Sequence, residues 1–316
     1  MITKTLAFVF PGQGSQKPGM LSEMNQHNGL VAATFAEASD ILGYDMWALC
    51  QDGSAEELSQ TEVTQPLLVT ASTALWRCWQ SISEVKPSVV AGHSLGEWSA
   101  LVASSVISLE DAVRLVRLRG KYMQLAVPAG QGAMAAIVGL DDQTIIKSCE
   151  SISTDTNTVL PVNYNSPGQV VIAGHANAVE AAMTACKEAG AKRALPLPVS
   201  APFHTPLMQP AADKLAEDIE TTQFNAPEIP ILHNVGCSTE EDPLRIKNRV
   251  IEQITAPVPW TQTIEKMASM GIISAVECGP GRVLSGLSKR IDKSVSALNI
   301  ETPEALEAAT TQVSQI

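Results

Sequence analysis

Apolar residues along this chain alternate between short continuous runs and stripes of helical spacing. Residues 6–10 form an apolar run stopped by Pro11-Gly12, which predicts a first buried strand. Helical spacing follows over 31–42 and 65–79, with Thr64 placed as the N-cap of the second helix. Residues 88–91 read as another buried strand, and 109–125 as a long helix opened by Ser108 and acidic Glu110-Asp111. The texture changes between Pro128 and Pro198. There, 133–138 reads as strand, 141–150 as helix, and 159–164 and 169–173 as strands around an Asn165-Ser166-Pro167-Gly168 turn. An Ala-rich helix over 176–189, closed by Gly190, and a strand over 192–197 complete the stretch. Strand-helix-strand-strand-helix-strand is the ferredoxin-like split unit. Beyond it come helix 210–220, strand 229–234, helices 243–255 and 260–270, strand 273–278 and helix 283–291. Strands alternating with helices specify an α/β fold. The organisation expected is one large unit over 1–127 and 199–316, with 128–198 as a compact insertion.

Composition narrows the classes of function. The 316 residues carry a net charge of -12, which argues against nucleic acid or an anionic membrane as partner. No apolar run reaches the ~20 residues needed to span a bilayer. The first ten residues read as a core strand rather than a leader, so a cytoplasmic protein is expected. Six cysteines (Cys50, Cys78, Cys149, Cys186, Cys237, Cys278) are scattered without a Cys-x-x-Cys pair, which predicts free buried thiols. Five histidines lack metal-ligand spacing, so no metal is expected.

Chemistry concentrates where the second strand meets a helix. Val89-Val90-Ala91-Gly92-His93-Ser94-Leu95-Gly96-Glu97 places a Gly-x-Ser-x-Gly between an apolar strand and an apolar helix, the context of a nucleophile elbow. A serine hydroxyl needs a base. His93 should point away from the hydroxyl, because neighbouring strand side chains alternate faces. His27 lies in a polar loop, His175 reads as a helix cap, and His233 at a strand end is a weaker candidate. His204 stands in an irregular loop, 199–206, stiffened by Pro202 and Pro206, and suits a base best.

Two glycine-rich turns admit more than one reading. Phe10-Pro11-Gly12-Gln13-Gly14-Ser15-Gln16 could cradle phosphate, but it lacks a Gly-Lys-Ser/Thr ending, and Lys17 replaces the third glycine of a dinucleotide fingerprint. It could equally bring a backbone N–H to a reacting carbonyl, or be an ordinary turn. Glu277-Cys278-Gly279-Pro280-Gly281 reads as a phosphate loop or, more simply, as a strand-to-helix turn.

In this order the motifs Phe10 to Gln16, Thr64-Gln65-Pro66, Gly92 to Glu97, Arg117-Leu118-Arg119-Gly120-Lys121, Asn165 to Gly174, Pro202-Phe203-His204 and Gly279-Pro280-Gly281 resemble the malonyl-CoA:acyl carrier protein transacylases of bacterial fatty acid synthesis. The resemblance spans nearly the whole chain. It implies an α/β-hydrolase-like large domain with an inserted ferredoxin-like domain. It implies Ser94 as the acylated nucleophile, His204 as base, and the N–H groups of Gln13 and Leu95 as oxyanion hole. By position alone Arg119 reads as a solvated charge in the last turn of its helix; the resemblance makes it the clamp on a malonyl carboxylate. No triad aspartate is implied, since a main-chain carbonyl at Gln253 orients the histidine. Gln65 and Asn165 are expected to line the pocket. Bulky Phe203 before the histidine resembles malonyl-selective polyketide acyltransferases, where bulk excludes an α-methyl group.

The activity so implied is ping-pong malonyl transfer from malonyl-CoA to the phosphopantetheine thiol of acyl carrier protein, by a monomer without cofactors beyond the coenzyme A thioester. Carrier proteins are acidic, so docking needs a local basic patch, either Lys289-Arg290 with Lys293 or Lys192-Arg193. The rival readings are a free-standing polyketide synthase acyltransferase, a serine esterase or thioesterase releasing free acid, and a carrier-binding scaffold with a dead site.

Overall fold

In the computed structural model, which describes residues 2–199 and 201–315, the chain builds two sheets. Met1, Ser200 and Ile316 lie outside the described residues, including the Ser200 position of the loop expected around His204. The strands are β1 Ile2–Phe10, β2 Lys86–Gly92, β3 Gly132–Val138, β4 Val159–Ser166, β5 Gln169–His175, β6 Arg193–Pro196, β7 Ile231–Leu232, β8 Ser274–Glu277 and β9 Ser296–Asn299.

The first sheet runs β7-β2-β1-β8-β9, and every neighbouring pair is parallel. The strands nearest its middle, β1 and β2, are apolar on both faces because helices cover both sides. Phe8 of β1 packs edge-on against Trp76 and Trp79, with ring centroids 5.1 and 4.9 Å away. Both tryptophans stand on the helix Thr61–Ile82. The second sheet is antiparallel in the order β4-β5-β3-β6, with helices Asp142–Ile152 and Ala176–Glu188 packed on it. That strand order is the ferredoxin-like arrangement, and the whole is an α/β fold of two joined units.

Several elements depart from expectation. The helix expected at 65–79 begins at Thr61, so Thr64 lies inside it; its hydroxyl donates to the carbonyls of Leu58 and Gln60. Pro66 lies inside the second turn, where it cannot donate the helical bond to the Glu62 carbonyl. The strand expected at 229–234 shrinks to β7, and the helix expected at 243–255 ends at Glu252. β4 continues to Ser166, so the hairpin turns on Pro167-Gly168 alone. His27 closes the short helix Ser22–His27 instead of lying in a loop. His175 holds the N-cap position without capping; its Nδ1 accepts from the Thr158 N–H at 2.9 Å.

Candidate active site

Strand β2 delivers Ser94 at the carboxyl edge of the parallel sheet, where loops after several strands converge. Ser94 has φ +50°, a left-handed conformation that is costly for a residue with a side chain. The flanking glycines make the bend feasible. A Cβ on Gly92 would lie 1.9 Å from the Gly96 carbonyl carbon, and one on Gly96 would lie 2.0 Å from the Phe10 oxygen. The helix behind the serine, Gly96–Ala103, is entered through i→i−3 bonds: Gly96 N–H to His93 O, Glu97 N–H to Ser94 O and Trp98 N–H to Leu95 O. The Ser94 N–H donates to Asn234 Oδ1 at 3.0 Å. The Leu95 N–H has no protein acceptor among the described residues, and neither has the Gln13 N–H in the turn after β1. Both residues line one small pocket of about 110 Å³ with Ser94 and His204. So the i→i−3 bonds occupy the N–H groups of Gly96, Glu97 and Trp98 and leave that of Leu95 open beside the pocket.

His204 meets the serine directly, with Nε2 2.7 Å from Oγ. It too is left-handed, at φ +63°. Its Nδ1 lies 2.9 Å from the Gln253 carbonyl and 3.1 Å from that of Ala256. Both partners only accept, so Nδ1 must carry the proton and Nε2 presents its lone pair to the hydroxyl. Burial, and after it the Arg119 guanidinium, push the imidazole down to about 3, against the two carbonyl contacts that raise it. The ring is therefore neutral at physiological pH, with its Nε2 lone pair turned to the hydroxyl.

Arg119 corrects the reading of a solvated charge in a last turn. It is 1% exposed and stands six residues before the end of the helix Leu109–Leu125. The neighbouring Gly120 permits this, since a Cβ there would lie 2.5 Å from the Thr61 oxygen. The helix can thereby approach Thr61–Ile82 closely enough for Arg119 Nη1 to reach Gln65 Oε1 at 2.8 Å. Arg119 Nη2 donates to Gln253 Oε1 at 3.1 Å and lies 3.5 Å from Ser94 Oγ, while the buried Nε–H has no partner among the described residues. Burial lowers the guanidinium to about 10 against the pull of nearby Glu97. It remains a cation, facing the nucleophile and held by neutral amides.

Gln65 and Phe203 also line the pocket, as do Met134 and Leu197 contributed by the smaller unit. Asn165, expected there, instead lies 2.8 Å from His93 Nε2, and Asn163 takes its place on the pocket wall. His93 bonds that asparagine and not the serine hydroxyl, although it lines the same pocket, and burial lowers its pKa. His233 is buried against Glu97, 2.6 Å from its carboxylate, and does not reach Ser94. Lys289, Arg290, Lys192 and Arg193 are exposed and none lines the pocket; Arg290 Nη1 donates to Gln169 Oε1. All six cysteines are free, but Cys237 is only half-buried. Among the described residues no group of three or more His, Cys, Asp or Glu could hold a metal. None of their helices is long and apolar enough to cross a membrane.

Sequence reasoning missed Asn234 and the burial of Glu97. Asn234 Oδ1 accepts the Ser94 N–H while its Nδ2 donates to Gly92 O at 2.7 Å, bracing both sides of the elbow. Glu97 is fully buried and accepts from the Asn234 N–H and from Gln253 Nε2. Asn234 ends the strand expected over 229–234, beside His233, which is the one signal that pointed to it.

The chain is similar to known proteins along nearly its whole length. The model of the acyl transferase domain family matches residues 7–302. The malonyl CoA-acyl carrier protein transacylase of Salmonella typhimurium is 56% identical over 306 residues, covering 97% of this chain and 99% of the relative. That of Bacillus subtilis is 42% identical, covering 96% of each. Among solved structures, an acyl carrier protein S-malonyltransferase from Vibrio cholerae superposes with TM-score 0.94 at 53% identity, covering 96% of this chain and 99% of that one. A malonyl-transacylase solved in complex with its type II PKS acyl-carrier protein gives TM-score 0.95 at 51% identity, covering 97% and 99%.

Proposed function

This chain belongs to the acyl transferase family, and on that premise we propose that it carries malonyl groups from malonyl-CoA to the phosphopantetheine thiol of acyl carrier protein. The observation that carries this reading is the 2.7 Å Ser94–His204 contact with a buried guanidinium beside it that is bonded directly to neutral amide oxygens and to no carboxylate among the described residues. An esterase has no use for a buried cation at the acyl site, whereas a malonyl donor brings the carboxylate that satisfies it.

In the first half-reaction Ser94 Oγ attacks the thioester carbon as His204 Nε2 takes the hydroxyl proton. The oxyanion rests on the Gln13 and Leu95 N–H groups, each worth about 3–4 kcal/mol by analogy with other serine enzymes. Collapse breaks the C–S bond, and the His204 proton passes to the coenzyme A sulfur. In the second half-reaction the carrier thiol gives its proton to His204 and attacks the Ser94 ester. Collapse then breaks the ester C–O bond and returns the proton to Oγ. The Gln253 carbonyl replaces a triad carboxylate: it holds the imidazole tautomer without adding a charge that would oppose the substrate anion. The thioester is itself the activated donor, so these steps call for no cofactor. Phe203 restricts the space beside the acyl group, which favours unbranched malonyl.

Fatty acid synthesis in the cytoplasm is the setting this reading proposes. Phe203 and the likeness to a transacylase bound to a polyketide carrier also fit a free-standing polyketide acyltransferase; carrier-protein preference separates the two. Intact-protein mass spectrometry after malonyl-CoA is the test. A malonyl adduct is expected on the parent and none on Ser94→Ala. Arg119→Ala should lose malonyl transfer while retaining reaction with acetyl-CoA; equal loss toward both donors would remove the clamp.

A further inference from the structure

The Gln253 backbone is already placed behind His204; its side chain touches everything else that matters. Oε1 accepts from Arg119 Nη2 at 3.1 Å. Nε2 donates to the Ser94 carbonyl at 3.0 Å and to Glu97 Oε2 at 2.6 Å, with Asn234 Oδ1 a third oxygen at 3.3 Å. Gln253 is fully buried, at the C-terminal end of the helix Pro243–Glu252. One residue thus contacts the base through its carbonyl, the guanidinium through its amide oxygen and the nucleophile's own peptide through its amide nitrogen.

We propose that the Gln253 side chain is a positioning residue for acyl-group selection, tying the Arg119 guanidinium to the nucleophile elbow through a neutral amide. The proposal rests on the acyl-transfer reading above and assigns it a residue.

The chemistry of the amide explains why a glutamine suits this position. Arg119 needs fixed acceptors to hold its plane, yet a carboxylate in direct contact would compete with the malonyl carboxylate for the same N–H groups. Gln65 and Gln253 each supply one neutral oxygen, so the fork is oriented without being neutralised. The anion that offsets its charge, Glu97, stands one residue further back and is bonded to Gln253, not to the guanidinium. Glu97 in turn is held by His233 and by the Asn234 N–H, and Asn234 braces the elbow. Guanidinium, amide, carboxylate and elbow form one connected network, so a shift of the amide moves the clamp relative to the hydroxyl.

Gln253→Met keeps length and the main-chain carbonyl toward His204 but removes both amide functions. The ratio of malonyl to acetyl transfer, each as kcat/KM, should then fall about 10- to 100-fold, the range for a lost hydrogen bond to a charged group. A structural role alone would slow both donors together. Gln253→Asn, which retains an amide one methylene shorter, should shift the ratio the same way by a smaller factor, and carries the test if the methionine variant does not fold. An unchanged ratio in the folded variants would overturn the proposal. Intact mass of the parent after malonyl-CoA keeps the two readings separate. A Ser94 adduct with an unchanged ratio sinks only the positioning role, whereas no adduct sinks the acyl-transfer reading itself.

Discussion

Two strand-to-helix turns flank the end of β1, and they use the same geometry to opposite ends. One joins β2 to the helix Gly96–Ala103; the other joins β8 to the helix Val283–Ile291. β1 is wedged between them. A Cβ on Gly96 would strike the Phe10 oxygen at 2.0 Å, and one on Gly279 would strike Pro11 Cγ at 2.3 Å. Each turn aims a helix N-terminus at the edge of the sheet, where an anion is favoured. At the second turn the protein supplies that anion: the buried Glu277 carboxylate accepts from Leu284 N–H at 2.9 Å and Ser285 N–H at 2.7 Å. At the first turn the only carboxylate, Glu97, faces inward, and the Leu95 N–H is left open. The two helix N-termini differ in what the chain supplies to them: a carboxylate at the second turn, and no acceptor among the described residues for the Leu95 N–H at the first.

The widest separation between the turns is expected from methyl groups. Gly92→Ala forces a Cβ within 2.1 Å of the Glu97 nitrogen as well as the Gly96 carbonyl, all of it backbone that cannot step aside. A loss of about 3 kcal/mol or more is expected, with abolished malonyl adduct formation. Gly281→Ala puts its Cβ no closer than 3.9 Å to Ser15 and meets only the strain of φ +82°, about 1–2 kcal/mol. Denaturant titration of both variants checks the contrast, and equal losses would erase it.

Next in size is a shift in pH dependence confined to the catalytic turn. Because burial first and Arg119 second depress the His204 imidazole, the acid limb of kcat/KM should fall well below 6.5, the ordinary histidine value. The base is lost only as pH drops through the depressed value. Arg119→Ala removes one of the causes, leaving burial and the nearby His93, so with acetyl-CoA as donor its acid limb should move to higher pH. The same depression sets a stability slope. Below 6.5 the unfolded chain binds a proton at His204 that the folded protein refuses, so stability falls as pH falls toward the depressed value. An acid limb at the ordinary histidine value would contradict the burial argument.

How much of this was legible in the sequence follows the range of the interactions. The helix Leu109–Leu125 carries its own Ser108 cap, whose hydroxyl accepts the Asp111 N–H, so its limits were readable from local chemistry. The elbow was readable because strand, glycines and helix are contiguous. β9 was missed, since Ser296–Asn299 is four residues with two polar ends and becomes strand only by pairing with β8. The site divides the same way. Ser94 and the rigid His204 loop stood out, but the helical pattern around Arg119 places a charge among charges, and only packing of Gly120 on Thr61 turns it inward. The burial of Glu97 was not legible, because its partners Asn234 and Gln253 lie 137 and 156 positions away.

The smallest effect should come from neutralising the carboxylate that fills the second turn. In Glu277→Gln one acceptor for the two helix N–H groups is replaced by a donor, while a buried charge is removed. These oppose each other, and the direction of the titration says which is larger. Burial outweighs the hydrogen bonds to Ser285 and Leu284, so the Glu277 carboxyl is raised above its ordinary value. A raised folded-state value means that its contribution to stability is present in full below the unfolded value. It is then lost as pH rises through the raised one. Gln has no such titration. The variant should therefore differ from the parent by no more than about 1–2 kcal/mol, and gain on it as pH rises above 4.5, the ordinary glutamate value. Because Glu277 serves packing, malonyl loading should stay within a few-fold of the parent's. Thermal melts across that pH range, with loading rates measured alongside, test both halves. A variant that loses ground as pH rises would mean that its ionised form is what the turn requires. A collapse in loading would mean that the two turns are not divided between support and chemistry.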